Sequence, residues 1–419
     1  MKKILLLIVL ALTITAQTIK AQTVVLDSNG VTIKWTGTTL PSLYLIQASP
    51  RGTLEWFAIV DDNTKSNITN YAKNIQSGKA YFTPTGSSTP IPFNNIVTTL
   101  VTDMSYMFTY STSTNYSQTN LLFNQNIVSW DVSNVTQMSH MFYYATTFNQ
   151  PIGSWNVTQV TNMSNMFLYA TAFNHPIGSW NVSNVKIMSQ MFQGASSFNQ
   201  PLDSWNVSKV TDMHNMFAGN SSFNQPLGSW NVGNVTNMSW MFGSQLKNTL
   251  FNQDIGSWNI NNVANMSGMF YGAKLSVANF DALLAGWASK GSNGGVLKKG
   301  VSFDGGASNY CKGLGARNYL INTYGWIITD SGLDCTSLGT ESFDIISITL
   351  YPNPISSILN IKTYANIANQ PYTISDALGK VVLNGKLNEV DTTINVEQLS
   401  KGLYYLKLSD SNASKFIKE

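Results

Sequence analysis

Between residues 123 and 273 the apolar positions recur with a fixed period. Phe123, Phe148, Phe173, Phe198 and Phe223 are 25 residues apart, and Phe251 follows after 28 because Gln245–Leu250 carries an insertion. Each Phe is followed by Asn and then by Gln or His, and seven residues later by a Trp: Trp130, Trp155, Trp180, Trp205, Trp230 and Trp258. An Asn or Asp comes next, then a β-branched residue, then a Val three further on. The unit closes on Met-x-x-Met-Phe, as in Met163, Met166 and Phe167, and a half unit with Met104, Met107 and Phe108 precedes the array.

Within one unit, Trp155, Val157 and Val160 lie in a short β-favouring stretch. Met163, Met166 and Phe167 fall at i, i+3 and i+4, which gathers them on one side of a helical turn. Pro151 and Gly153 punctuate a connecting loop. One short strand, one helical turn and one loop per 25-residue coil predict a repeat solenoid over residues 96–273. A single coil cannot bury its apolar face, whereas coils stacked at about 4.8 Å bury a continuous core. The matching Asn149, Asn174, Asn199 and Asn224, and Asn156, Asn181, Asn206 and Asn231, predict polar ladders in which amides bond to one another and to turn backbone.

The flanks read differently. Lys2 and Lys3, the apolar run Ile4–Ile14 and the small residues Ala16 and Ala21 form a secretory signal peptide over 1–21, cut after Ala16 or Ala21. Residues 22–95 predict a small β-rich region from VTIKW, YLIQA and LEWFAIV. The span 274–335 follows the repeats, 336–344 is a polar linker, and 345–419 predicts a small antiparallel β-sandwich with a hairpin turn at Asp376–Gly379. No other stretch is long and apolar enough for a transmembrane segment.

Composition narrows the function classes. Only 11% of residues are charged, 12% are aromatic and 43% hydrophobic, so the chain can bury a large core. A net charge of +3 gives no argument for nucleic acid. Cys311 and Cys335 read as a disulfide in an exported chain, with two free thiols as the alternative. His140, His175 and His214 occupy three different positions within the unit and so build no metal column. Asp131, Asp203, Asp212 and Asp254 are scattered and Asp304 reads as a turn residue, so no carboxylate pair is in place for glycoside hydrolysis. Neither GxSxG, HExxH nor a phosphate loop is present. The expectation is no cofactor, no metal and no catalytic residue.

The unit WNVSNV..M..MF......FNQPIGS resembles the repeat of BspA-like leucine-rich-repeat surface proteins of Bacteroidota and some other bacteria, over about residues 95–335. The resemblance implies a leucine-rich-repeat-like fold for the solenoid and a surface protein, in some members an adhesive one. It reads the segment from Phe280 to Cys335 as a C-terminal cap pinned by the cystine. Residues 345–419 resemble the type A sorting domain of the type IX secretion system, through Tyr351, Pro352, Asn353, Pro354, Leu359-Asn360-Ile361, Gly379, Gly402, and the closing Lys415 to Lys418. That resemblance implies the secretion machinery as a partner and export across both membranes to the cell surface or the medium.

Two columns vary between units and are expected to face solvent. One precedes the second Met: His140, Asn165, Gln190, Asn215, Trp240, Gly268. The other follows Met-Phe: Tyr143, Leu168, Gln193, Ala218, Gly243, Tyr271. Exposed Trp and Tyr are typical anchors for a partner, so Tyr143, His140, Trp240 and Tyr271 are the candidate binding residues. The functional expectation is a non-enzymatic adhesin or ligand-binding module that contacts host protein, glycan or other cells. A structural spacer without a ligand is the alternative, and an enzyme in the N-terminal region is a third reading.

Overall fold

The computed structural model describes residues 24–37, 45–68, 81–84, 86–109, 122–246, 249–292, 295–336, 348–363, 371–387, 391–408 and 413–419. The signal peptide and nearly all of the linker lie outside the described residues. The chain forms two compact units. The first holds the residues up to Gln253 with Trp258–Lys274 and Phe303–Ala307, and the second holds Asp254–Ser257, Leu275–Ser302 and Ser308–Glu419.

The expected leucine-rich-repeat-like solenoid, with a strand and a helical turn in each coil, is not what forms. Among the described residues of 123–273 there is no strand and no α-helix, only turns, a short 3-10 segment at Ile152–Ser154 and single-residue bridges. The strands are gathered in small separate sheets elsewhere. The physical reason is a backbone conformation that the side-chain spacing did not show. The residue before the second Met is left-handed at His140, Asn165, Gln190, Asn215, Trp240 and Gly268, with φ between 55° and 64°. Tyr144, Tyr169, Gly194, Gly219 and Gly272, two residues after the Phe, are left-handed as well. Positive φ at these intervals interrupts both an α-helix and a strand.

What the units form instead is a run of tight turns. In one unit, Met166 N–H donates to Met163 O at 3.2 Å, Leu168 N–H to Asn165 O at 3.2 Å and Ala170 N–H to Phe167 O at 3.0 Å. Asn165 and Tyr169 are third in their turns, where type II geometry requires positive φ. Alternate amides point to the next unit: Met163, Asn165, Phe167 and Tyr169 donate to the carbonyls of Ile187, Ser189, Met191 and Gln193 at 2.8–3.0 Å. Each unit therefore has its amides satisfied half within itself and half by its neighbour. Parallel bridges run from Asp103 through Gln137, Asn162, Ile187, Asp212 and Asn237 to Asn265.

Core columns accompany these bonds. Trp155, Trp180, Trp205 and Trp230, the first Met of each unit and both Phe columns are buried. Phe142, Phe167, Phe192, Phe217 and Phe242 stack on their successors at 5.5–5.8 Å. Each buried indole also has a hydrogen-bond acceptor one unit back: Trp155 Nε1 donates to Ile127 O, Trp180 to Ile152 O, Trp205 to Ile177 O, Trp230 to Leu202 O and Trp258 to Leu227 O, at 2.8–3.3 Å. The first Asn column forms a surface ladder, in which the side-chain oxygen of Asn149 accepts from Asn174 N–H and that of Asn174 from Asn199 N–H, both at 3.0 Å. The second Asn column turns inward on its own unit, with the Asn156 side-chain oxygen accepting from Thr158 N–H.

Before the repeats come strands β1 (Val24–Leu26), β2 (Ile33–Trp35), β3 (Leu45–Ala48), β4 (Glu55–Asp61), β5 (Tyr81–Phe82), β6 (Ile91–Pro92) and β7 (Ile96–Leu100). β1 and β2 pair antiparallel, and β4 lies between β3 and a parallel β7. Val24, Ile33, Phe57, Ile59 and Val97 share one core. This region bonds directly to the first repeat: Trp130 Nε1 donates to Phe93 O at 2.8 Å and Thr98 Oγ1 to Asp131 O at 2.9 Å.

In the second unit, helices α1 (Val277–Ser292) and α2 (Leu314–Tyr324) are tied by Asp281. Its carboxylate accepts from the amides of Cys311, Lys312 and Gly313 at 2.7–2.9 Å, just before α2 begins. Cys311 is disulfide-bonded to Cys335. Near this bridge Arg317 pairs with the buried Asp330 at 2.7 Å. The C-terminal residues form two antiparallel sheets. The strands at Ile348–Tyr351, Ile358–Thr363 and Asp391–Asn395 make the first, and those at Pro371–Asp376, Val381–Lys386, Gly402–Leu408 and Ser414–Lys418 the second. Leu359, Ile361, Ile374, Leu406 and Phe416 are among the residues of their common core.

Candidate functional site

The four candidate binding residues fall into two aromatic groups on the repeat region. In the first, Tyr106 stacks on His140 with centroids 4.4 Å apart, His140 meets Tyr143 at 5.5 Å, Tyr143 meets Tyr144 at 4.7 Å, and Tyr144 meets Tyr169 at 4.6 Å. In the second, Trp240 meets Tyr271 at 5.1 Å. The structure thus joins His140 to Tyr143 and Trp240 to Tyr271, in separate clusters.

The expectation that both variable columns face outward holds unevenly. In the column after Met-Phe, Tyr271 is exposed and Tyr143 half-buried, but Leu168 and Ala218 are buried. The column before the second Met is half-buried throughout. Tyr106, Tyr144 and Tyr169 were missed by the sequence reading. The signal was present: the position two after Met-Phe runs Tyr144, Tyr169, Gly194, Gly219, and a column that accepts only Tyr or Gly over four units marks a special backbone position.

Between the two clusters lies a cleft of about 540 Å³. Tyr169 stands at one end and Trp240 at the other, with Gly194, Gly219 and Gly243 beneath and the amides of Asn215 and Gln245 beside them. The floor is low because glycine replaces tyrosine in the left-handed column. The Tyr169 ring lies against Gly194, where a Cβ would stand 2.3 Å from Cδ1. Among the described residues no acidic or basic side chain lines the cleft.

The electrostatics of the strip favour neutral rings. Burial lowers the pKa of His140, whose Nδ1 is buried without a hydrogen-bond partner. Burial, with Tyr169 and Tyr143 adding to it, raises that of the Tyr144 hydroxyl. A second histidine, His214, has Nδ1 2.9 Å from the Asp212 carboxylate. Among the described residues no group of three or more His, Cys, Asp or Glu side chains is placed to hold a metal ion, and no helix is long and apolar enough to cross a membrane.

In the C-terminal sheets the motif residues converge. The Asn353 side-chain oxygen accepts from Ile417 N–H at 2.9 Å, which seats the Tyr351–Pro354 segment on the last strand beside Lys415 and Lys418. Lys418 is buried and pairs in register with Gly402. Gly379, at φ 83°, closes the turn from Asp376. Residues 349–419 match the family described as the secretion system C-terminal sorting domain. The chain therefore carries a type IX sorting signal, is handled by that machinery, and is exported to the cell surface or the extracellular space.

No curated protein and no solved structure matches the chain. The repeats match, over residues 76–203 and 188–291, the family described as Mycoplasma protein of unknown function, DUF285. The resemblance to BspA-like leucine-rich-repeat proteins is not shown by these comparisons. The two repeat matches together span just over half of the sequence, and the chain belongs to that family of unknown function.

Proposed function

We propose that this exported protein is a binding module, an adhesin whose repeat region contacts a protein or glycan on a host or neighbouring cell. The observation that carries the reading is the open cleft walled by Tyr169 and Trp240, whose described lining residues are all uncharged. Trp240 is held at φ 57°, in a slot that Asn165, Asn215 and Gly268 fill with residues better suited to it. A bulky side chain in the left-handed region costs of order 1–2 kcal/mol. A ring kept there against that cost is supported by use at the surface. The role is read as binding without catalysis, because the aromatic strip joins tyrosines to one histidine whose neutral form burial favours.

The test is retention of the mature chain on immobilised matrix proteins, mucin-type glycoproteins and polysaccharides, with Trp240→Ala and Tyr143→Ala as comparisons. Retention that weakens in either variant supports a module whose rings make the contact. A chain that binds nothing is a spacer instead, and one that binds equally well in both variants makes its contact elsewhere than through these rings.

A further inference from the structure

We infer that the cleft between Tyr169 and Trp240 takes a neutral oligosaccharide, held by stacking of its sugar rings on the two aromatic faces. This rests on the binding-module reading above and names its ligand class.

Four observations lead there. First, the walls are aromatic and, apart from Leu246, the rest of the lining is polar or small, the composition of a site for a ligand with apolar faces and hydroxyl edges. A pyranose has both: axial C–H groups on its faces, hydroxyls around its rim. Second, none of the described lining residues carries an acidic or basic side chain, so none of them compensates a sulfate, uronate or phosphate. Third, Asn215 and Gln245 put amides beside the floor. An amide both donates and accepts, as a sugar hydroxyl does. Fourth, Tyr169 and Trp240 belong to units three apart, which at about 4.8 Å per bridged unit separates them by about 14 Å along the array. Linked rings bridge such a gap, and a single sugar does not. The volume of about 540 Å³ falls within the range of about 300–1,000 Å³ typical of small-molecule sites.

The repeat supplies its own safe substitutions. Asn occupies the Trp240 slot in two other units, at Asn165 and Asn215, and Gly occupies the Tyr169 slot at Gly194 and Gly219. Trp240→Asn and Tyr169→Gly therefore remove a ring and keep the backbone conformation. The probe is a panel of immobilised neutral polysaccharides (glucans, mannans, xylan, galactan) beside acidic ones (polygalacturonate, heparin) and matrix proteins. Binding of the mature chain is measured for the wild type, both variants, and Trp56→Ala as a control in the exposed face of β4.

The expected result is binding to at least one neutral polysaccharide, roughly tenfold weaker in each ring variant and unchanged in Trp56→Ala. Binding only to acidic polymers overturns the inference, as does neutral binding that survives both ring variants. Binding only to matrix proteins overturns the glycan assignment and leaves the binding-module reading standing. Binding to nothing in the panel overturns both.

Discussion

The indole of Trp240 lies across Gly268 of the following unit, so close that a Cβ on Gly268 would stand 2.6 Å from Cε2 and Nε1. Both residues occupy the same left-handed slot, at φ 57° and 64°. The glycine makes room for the ring, and the ring closes one end of the cleft. Gly268→Ala is expected to displace the indole and to destabilise the fold by roughly 1–2 kcal/mol, from backbone strain alone. Near-ultraviolet circular dichroism and thermal melting check this. An unchanged aromatic spectrum would show that the ring does not rest on Gly268.

The indole ladder predicts a second outcome. Trp180 Nε1 donates to Ile152 O at 3.1 Å, and Trp180 is buried. Trp180→Phe removes one of that carbonyl's two donors, Trp155 N–H remaining at 3.1 Å, and costs the net bond, about 0.5–1.5 kcal/mol. Urea denaturation should place the loss in that range, while Trp56→Phe, at an exposed position, should change stability by less than about 0.5 kcal/mol. Equal effects would remove the ladder from the account.

The pair Arg317–Asp330 is expected to behave as a buried ion pair. The Asp330 carboxylate sits 2.7 Å from Arg317 Nε and its side chain is 3% exposed. The guanidinium also lies over the Tyr310 ring at 5.3 Å. Asp330→Ala leaves the arginine uncompensated and should cost about 3–5 kcal/mol. The double variant Asp330→Ala with Arg317→Met should recover part of that loss. A double variant no more stable than the single one would argue against the charge as the cause.

Stability should fall as the medium is acidified through the histidine range. Burial favours the neutral form of His140 in the folded chain, so its folded pKa is below its unfolded one. The unfolded chain then binds the proton first, and stability rises with pH through about 6.5, levelling off above it as unfolded histidine becomes neutral. Melting temperatures between pH 5 and 8 should show this slope, and His140→Gln, with the residue found at Gln190, should flatten it. A second loss belongs at lower pH. There the Asn95 amide holds the Glu55 carboxyl below its usual range against burial, and Thr102 and Lys65 do so for Asp62, against a larger burial effect. A profile identical in the His140 variant would place the neutral-range slope elsewhere.

The sequence reading and the structure part company at the backbone. The spacing of Trp, Val, Met and Phe identified the unit, its period and the side chains that go inside, because burial depends on composition and recurrence, both visible in the chain. The i, i+3, i+4 placement of Met163, Met166 and Phe167 was equally compatible with a helical turn and with consecutive tight turns. Both gather those residues on one side. Asn165 and Tyr169 decide between them through their positive φ, and only neighbouring units that take up the alternate amides make that conformation stable.

The candidate site divides along the same line. Trp240, Tyr143, His140 and Tyr271 were legible as members of the two columns that vary between units. Tyr169 stands in a visible Tyr-or-Gly column, but its place at a cleft follows only from the fold, which puts Gly194 and Gly219 in the lining beside it. The sequence by itself determined the repeat, its buried columns and, through residues 349–419, the route of export. Only the tertiary structure decided that the units are turns bonded to one another, which side chains stand on the left-handed positions, and where a run of glycines opens a cleft between two rings. Side-chain chemistry is written locally, whereas the sign of φ at each slot is selected by hydrogen bonds to residues about 24 positions away.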